Sequence, residues 1–122
     1  TQRNPTGGSM IAKLEAFRAL LEAQTRQRYA DDWKRDQAHG MDYPLSVHEQ
    51  NMVCALHVSG RKYARVDVGT SGRYMVELAT GAIYGIKGYG VIHRGHYYGT
   101  LDTLQDYDWR GWTARKLQAI AA

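Results

Sequence analysis

Cysteine occurs once in the 122 residues, at Cys54, so an internal disulfide framework is excluded. A lone thiol also fits a reducing compartment, the cytoplasm. Long apolar runs are missing too: the longest, Met52 to Leu56, has five residues, against the ~18 that a membrane span needs. No secretory leader is legible. Gly69-Thr70-Ser71-Gly72 lacks both the spacing and the lysine of a phosphate loop. Metal ligands are scarce as well. His93 and His96 lie close together, but the further ligands on offer are Cys54, His48, His57 and Asp102, which form no paired cluster. No metal and no cofactor is expected. Cys54 itself sits in an apolar run, the setting of a buried thiol rather than a nucleophile.

What is present describes a globular domain. Hydrophobic residues make up 43% and charged residues 23%, too apolar a mixture for gross disorder. The length suits one domain. Thr1 to Ser9 (TQRNPTGGS) is polar, and Gly-Gly-Ser precedes Met10. Residues 1–9 therefore read as a flexible tail or an appended linker, and residues 10–122 as a single domain.

The formal charge of +4 is unevenly spread. Residues 61–98 carry Arg61, Lys62, Arg65, Arg73, Lys87 and Arg94 against Asp67 and Glu77 alone, whereas residues 10–40 are nearly balanced. A basic centre attracts polyanions more than a uniform charge does.

From Met10 the pattern is helical. Leu14, Phe17 and Leu21 recur at spacings of three and four, Ser9 suits the N-cap, and His39-Gly40 suits the stop. This predicts a long helix over 10–39 with its stripe on a sheet; pairing with a second copy, and hence a dimer, is the alternative. Ser46-Val47-His48-Glu49 has the form of a capping box, and residues 53–58 fit a buried strand, although residues 46–58 as a whole can be helix or strand. Lys62 to Val68, Arg73 to Leu78 and Ala82 to Lys87 then alternate around turns at Gly69–Gly72 and Thr80-Gly81. The expected fold is α+β: a long N-terminal helix on an antiparallel meander of three to four strands, followed by a Gly/Tyr-rich loop and a short C-terminal helix.

The exposed sheet face is expected to hold Tyr63, Arg65, Arg73, Met75 and Lys87. Interleaved rings and cations suit single-stranded nucleic acid, DNA or RNA, because rings stack on bases and cations hold phosphates. Gly88 to Gly99 (GYGVIHRGHYYG) adds Tyr89, Arg94 and Tyr97 to that surface. Four glycines there argue for a loop. His93 and His96 are the candidate acid and base of a metal-independent nuclease, with Arg94 or Lys87 on the transition-state charge. In the tail, Trp109 and Trp112 are candidate anchors of a protein interface. Asp102, Asp106 and Asp108 can neutralise the basic sheet or hold Mg²⁺, and Thr113 to Ala122 is helix-friendly.

Three blocks carry a resemblance: Gly72 to Lys87 (GRYMVELATGAIYGIK), Ile92 to Thr103 (IHRGHYYGTLDT) and Asp108 to Trp112 (DWRGW). Together they resemble short bacteriophage and phage-derived proteins without an assigned activity, over about residues 61–112. Trp112 stands where that group has tyrosine. The likeness implies a phage or mobile-element origin and the cytoplasm of an infected host. It transfers no catalytic residue. The leading expectation is a phage accessory protein that binds nucleic acid through Arg65, Arg73, Lys87, Arg94, Tyr63, Tyr89 and Tyr97, with steep salt dependence. The alternative is a module that occupies a host enzyme or defence factor through Trp109 and Trp112; a nuclease comes third.

Overall fold

Leu14, Phe17 and Leu21 are fully buried, as the helical stripe requires. They lie on α1, Met10–Ala38, in a computed structural model that describes residues 9–58, 60–88 and 91–117. The Ser9 side chain accepts the Ala12 N–H at the N-terminus. At the other end Gly40 N–H donates to the Gln37 carbonyl and Met41 N–H to the Asp36 carbonyl, a paired closure that ends the helix.

The sheet has five antiparallel strands in chain order: β1 Cys54–His57, β2 Tyr63–Val68, β3 Ser71–Glu77, β4 Ala82–Gly88 and β5 Val91–Thr100. A two-residue turn at Gly69-Thr70, with φ +62° at Gly69, joins β2 to β3. Ala64, Val66, Val68, Tyr74, Val76 and Ile83 form the inner face and meet the α1 stripe. Trp109 completes this core, fully buried against Phe17 at 4.8 Å and Tyr74 at 5.3 Å.

The strand count exceeds the expected three to four because residues 91–100, which hold most of the Gly/Tyr-rich segment, are strand and not loop. Gly95 and Gly99 serve irregularities in the β4–β5 pairing, where register shifts fall at Ala82/Tyr84, Tyr84/Gly85 and Ile86/Gly88. Residues 46–58 contain both expected elements. A 3₁₀ turn, Leu45–His48, runs into α2, Glu49–Met52, and then β1. No side chain caps that turn, which starts after Pro44, so the capping-box geometry is absent. The C-terminal helix is not found over the described residues. Instead β7, Arg115–Lys116, pairs with β6, Tyr107–Asp108, and residues 118–122 lie outside the described set.

Two helix side chains satisfy the backbone of edge strand β1. Cys54 N–H donates to Glu22 Oε1 at 2.9 Å, and Arg18 Nη1 donates to the Cys54 carbonyl at 3.2 Å. The Cys54 N–H, followed by the guanidinium of Arg26, holds the Glu22 carboxyl below its ordinary value of 4.5. A depressed folded-state pKa stabilises the fold above that value, and the contribution is lost as pH falls through the folded pKa. Glu22→Gln is therefore expected to cost about 1–3 kcal/mol at neutral pH. The gap from wild type should close as pH drops below 4.5. Urea midpoints measured across that range check it; a gap that widens in acid contradicts the assignment.

Candidate nucleic-acid interface

The second sheet face carries no packed helix among the described residues. One register row crosses all five strands on it. His57 lies opposite Arg65, Arg65 opposite Met75, Met75 opposite Tyr84, and Tyr84 opposite Tyr97. The Tyr84 and Tyr97 rings are 5.7 Å apart, and Tyr97 is 52% exposed. Arg94 reaches back over this row. Its guanidinium lies 5.3 Å from the Tyr84 ring centroid and donates to the Tyr63 hydroxyl.

Sequence alternation places Tyr63 and Arg65 here; Arg94 and Tyr97, expected on a loop, come to the same face on β5, and Tyr84 joins them unforeseen. The missed signal is Ile83: once Ile83 is taken as the core residue of β4, Tyr84 must face outward. The same phase corrects Lys87, which projects to the helix side. Arg73 is also displaced. Val66 pairs with Tyr74 but Asp67 with Gly72, so Arg73 is an extra residue on β3. That bulge turns Arg73 to the helix side, where it donates to the Trp112 carbonyl at 2.7 Å and lies 3.9 Å from the indole centroid. Tyr89 lies outside the described residues.

The open face is less basic than the sequence suggests. Arg65 and His57 both reach Asp67, at 2.8 Å and 3.1 Å, and Arg94 reaches Glu77 at 3.6 Å. Two arginines and two carboxylates nearly balance. Stacking and shape therefore carry more of any contact here than charge does.

The candidate anchors of a protein interface separate. Trp109 is buried at the centre of the core and offers no surface, whereas Trp112 is 64% exposed. The tail carboxylates do not reach the sheet cations: Asp102 pairs with Lys13 at 3.1 Å and Asp108 with Arg110 at 3.0 Å. Among the described residues no group of three His, Cys, Asp or Glu converges on a metal position. Burial pushes the Cys54 thiol up to about 11, so it is protonated at neutral pH.

The His93 and His96 rings touch on the helix side, with centroids 3.9 Å apart and planes tilted by 41°, and no carboxylate lines the cleft around them. An acid and a base for in-line displacement must flank the phosphorus from opposite sides. Two rings in contact on one strand reach it from one side, so the pair fits binding better than that chemistry.

Comparisons with family models, with curated proteins and with solved structures return no match to this chain. Among the described residues no helix is long and apolar enough to cross a membrane.

Proposed function

We propose that this protein binds single-stranded nucleic acid on the open sheet face, with Tyr63, Tyr84 and Tyr97 as stacking surfaces and Arg65 and Arg94 on the phosphates. The observation that supports this reading is the His57–Arg65–Met75–Tyr84–Tyr97 row, which sets aromatic and basic groups on either side of a buried Met75 on a face that no helix covers among the described residues. Each stacked base contributes about 1–3 kcal/mol, independent of sequence. A phage or mobile-element origin, which the resemblance implies, is compatible with this role and not required by it.

The charge balance of the face sets the expected salt response. Two phosphate contacts on a single strand weaken binding only about sevenfold between about 50 and 200 mM salt, not the ~10³-fold of six contacts or more. Fluorescence anisotropy with labelled single-stranded DNA, RNA and duplex DNA measures this. Tyr84→Ala and Tyr97→Ala are expected to weaken single-strand binding about fivefold or more each. Absence of binding at low salt, or equal affinity of both variants with wild type, rejects the reading.

A protein-binding module is the second reading, favoured by the exposed indole of Trp112. Trp112→Ala separates the two, because affinity for a single strand with a 5′-hydroxyl end depends on the opposite face and should not change.

A further inference from the structure

The cations that leave the open face gather on the other side of the sheet. Arg73, Tyr74, Lys87, His93, His96 and Trp112 line a cleft of about 300 Å³ at the ends of β3, β4 and β5. That volume is at the small end of the range for small-molecule sites, about 300–1,000 Å³.

Three features distinguish the cleft from a solvated basic surface. First, the only buried side-chain polar atoms without a hydrogen-bond partner among the described residues are Arg73 Nε and Tyr74 Oη, and both residues line it. Tyr74 is 1% exposed. The Ala114 backbone and the Arg73 guanidinium approach its hydroxyl without reaching hydrogen-bond geometry. Second, no carboxylate lines the cleft, and none forms an ion pair with Arg73 or Lys87 among the described residues, which include every Asp and Glu of the chain. Third, Arg73 is held in place. Its Nη1 is committed to the Trp112 carbonyl and its plane to the Trp112 indole, which leaves Nε–H as a fixed, unused donor.

A desolvated guanidinium without a counter-ion is costly, and an anion that enters removes that cost. Burial accordingly pulls the Arg73 pKa below its ordinary value. We infer that this cleft is an oxyanion site that takes a phosphoryl group, with Arg73 Nε–H and Tyr74 O–H as its buried donors and Lys87 as its mobile charge. His93 and His96 close the side of the site and become donors when protonated. Burial, His96 and Lys87 depress the His93 pKa in the free protein, so a bound anion raises it again. The site is independent of the open face, since Arg73 and Lys87 belong to the opposite side of the sheet.

Inorganic phosphate titrated into the full chain at about pH 6.5 tests this, followed by the imidazole resonances of His93 and His96. Saturable shifts of both are expected. Arg73→Gln should weaken binding at least about tenfold, the usual effect of losing a charge-assisted hydrogen bond. Lys87→Gln, at an exposed position, should weaken it about threefold to tenfold and guards against misfolding of the first variant. A short thymidine oligonucleotide with a 5′-phosphate, compared with its 5′-hydroxyl form, separates a strand terminus from free phosphate as the source. Tyr84→Ala should leave phosphate affinity unchanged, which keeps failure of this site distinct from failure of the open face. Silent histidine resonances with both phosphate and the phosphorylated strand overturn the assignment. So do shifts of full size and unchanged midpoint in Arg73→Gln and Lys87→Gln.

Discussion

Trp109→Ala is expected to destabilise the protein by about 3–5 kcal/mol, the usual cost of removing a buried aromatic side chain. For a domain of this size, with about 5–15 kcal/mol in total, that leaves little of the folded state. The expectation follows from where the indole sits. It is fully buried and makes ring contacts with Phe17 from the helix, Tyr74 from β3, Tyr98 from β5 and Tyr107 from β6. Its Nε1–H donates to the Leu104 carbonyl at 3.0 Å, and its backbone N–H donates to Gln24 Oε1 at 2.7 Å. Alanine removes the ring that joins four elements and orphans a carbonyl. Trp112, three residues on, is the internal control. Its loss removes one cation–π contact with Arg73, worth about 0.5–1 kcal/mol at an exposed position. Urea midpoints at constant slope compare the two. Equal losses from the two substitutions contradict the placement of Trp109 at the core.

The contrast between these tryptophans shows where the sequence was legible. Helix α1 could be read because Leu14, Phe17 and Leu21 obey one period over three turns and nothing tertiary opposes it. Strands β2 and β3 could be read for the same reason at period two. The failures share a cause: each needs a partner distant in sequence. Gln24 is a polar residue that continues no apolar stripe, yet it is the acceptor that docks the Trp109 backbone across 85 residues. Arg73 changed sides because pairing with β2 inserts a bulge that no local alternation announces. β5 was hidden by glycines at 95 and 99, which weaken strand propensity but serve its bulged pairing with β4. The candidate site inherits this division. Tyr63 and Arg65 are placed by alternation, whereas Tyr97 arrives on an unforeseen strand and the cleft around Arg73 exists because a bulge in β3 turns Arg73 to the side that Lys87 faces.

Gly99→Ala should cost about 2–5 kcal/mol, a large effect for one methyl group. Two independent penalties add. Gly99 has φ +77°, where a Cβ strains the backbone by about 1–2 kcal/mol. A Cβ there also lies 2.6 Å from Thr103 Oγ1 and 2.8 Å from Tyr107 Cε1. Overpacking of that kind costs about 1–3 kcal/mol. Neither neighbour yields readily. Thr103 Oγ1 accepts the Thr100 N–H at 2.9 Å and donates to the Thr100 carbonyl at 3.2 Å, and the Tyr107 ring packs 5.7 Å from Trp109. Gly95 gives the contrast within the same strand: its nearest Cβ contact is His93 Nε2 at an ordinary 3.4 Å. Gly95→Ala should therefore stay within about 0.5 kcal/mol of wild type. Thr103→Ala added to Gly99→Ala removes the shortest contact but not the strain at φ. The double variant is expected to recover part of the loss, with a coupling of about 0.5–3 kcal/mol. Full recovery would assign the whole penalty to the threonine. No recovery would leave the backbone conformation and the Tyr107 ring as its source, and either result fixes how β5 turns into the segment that carries Trp109.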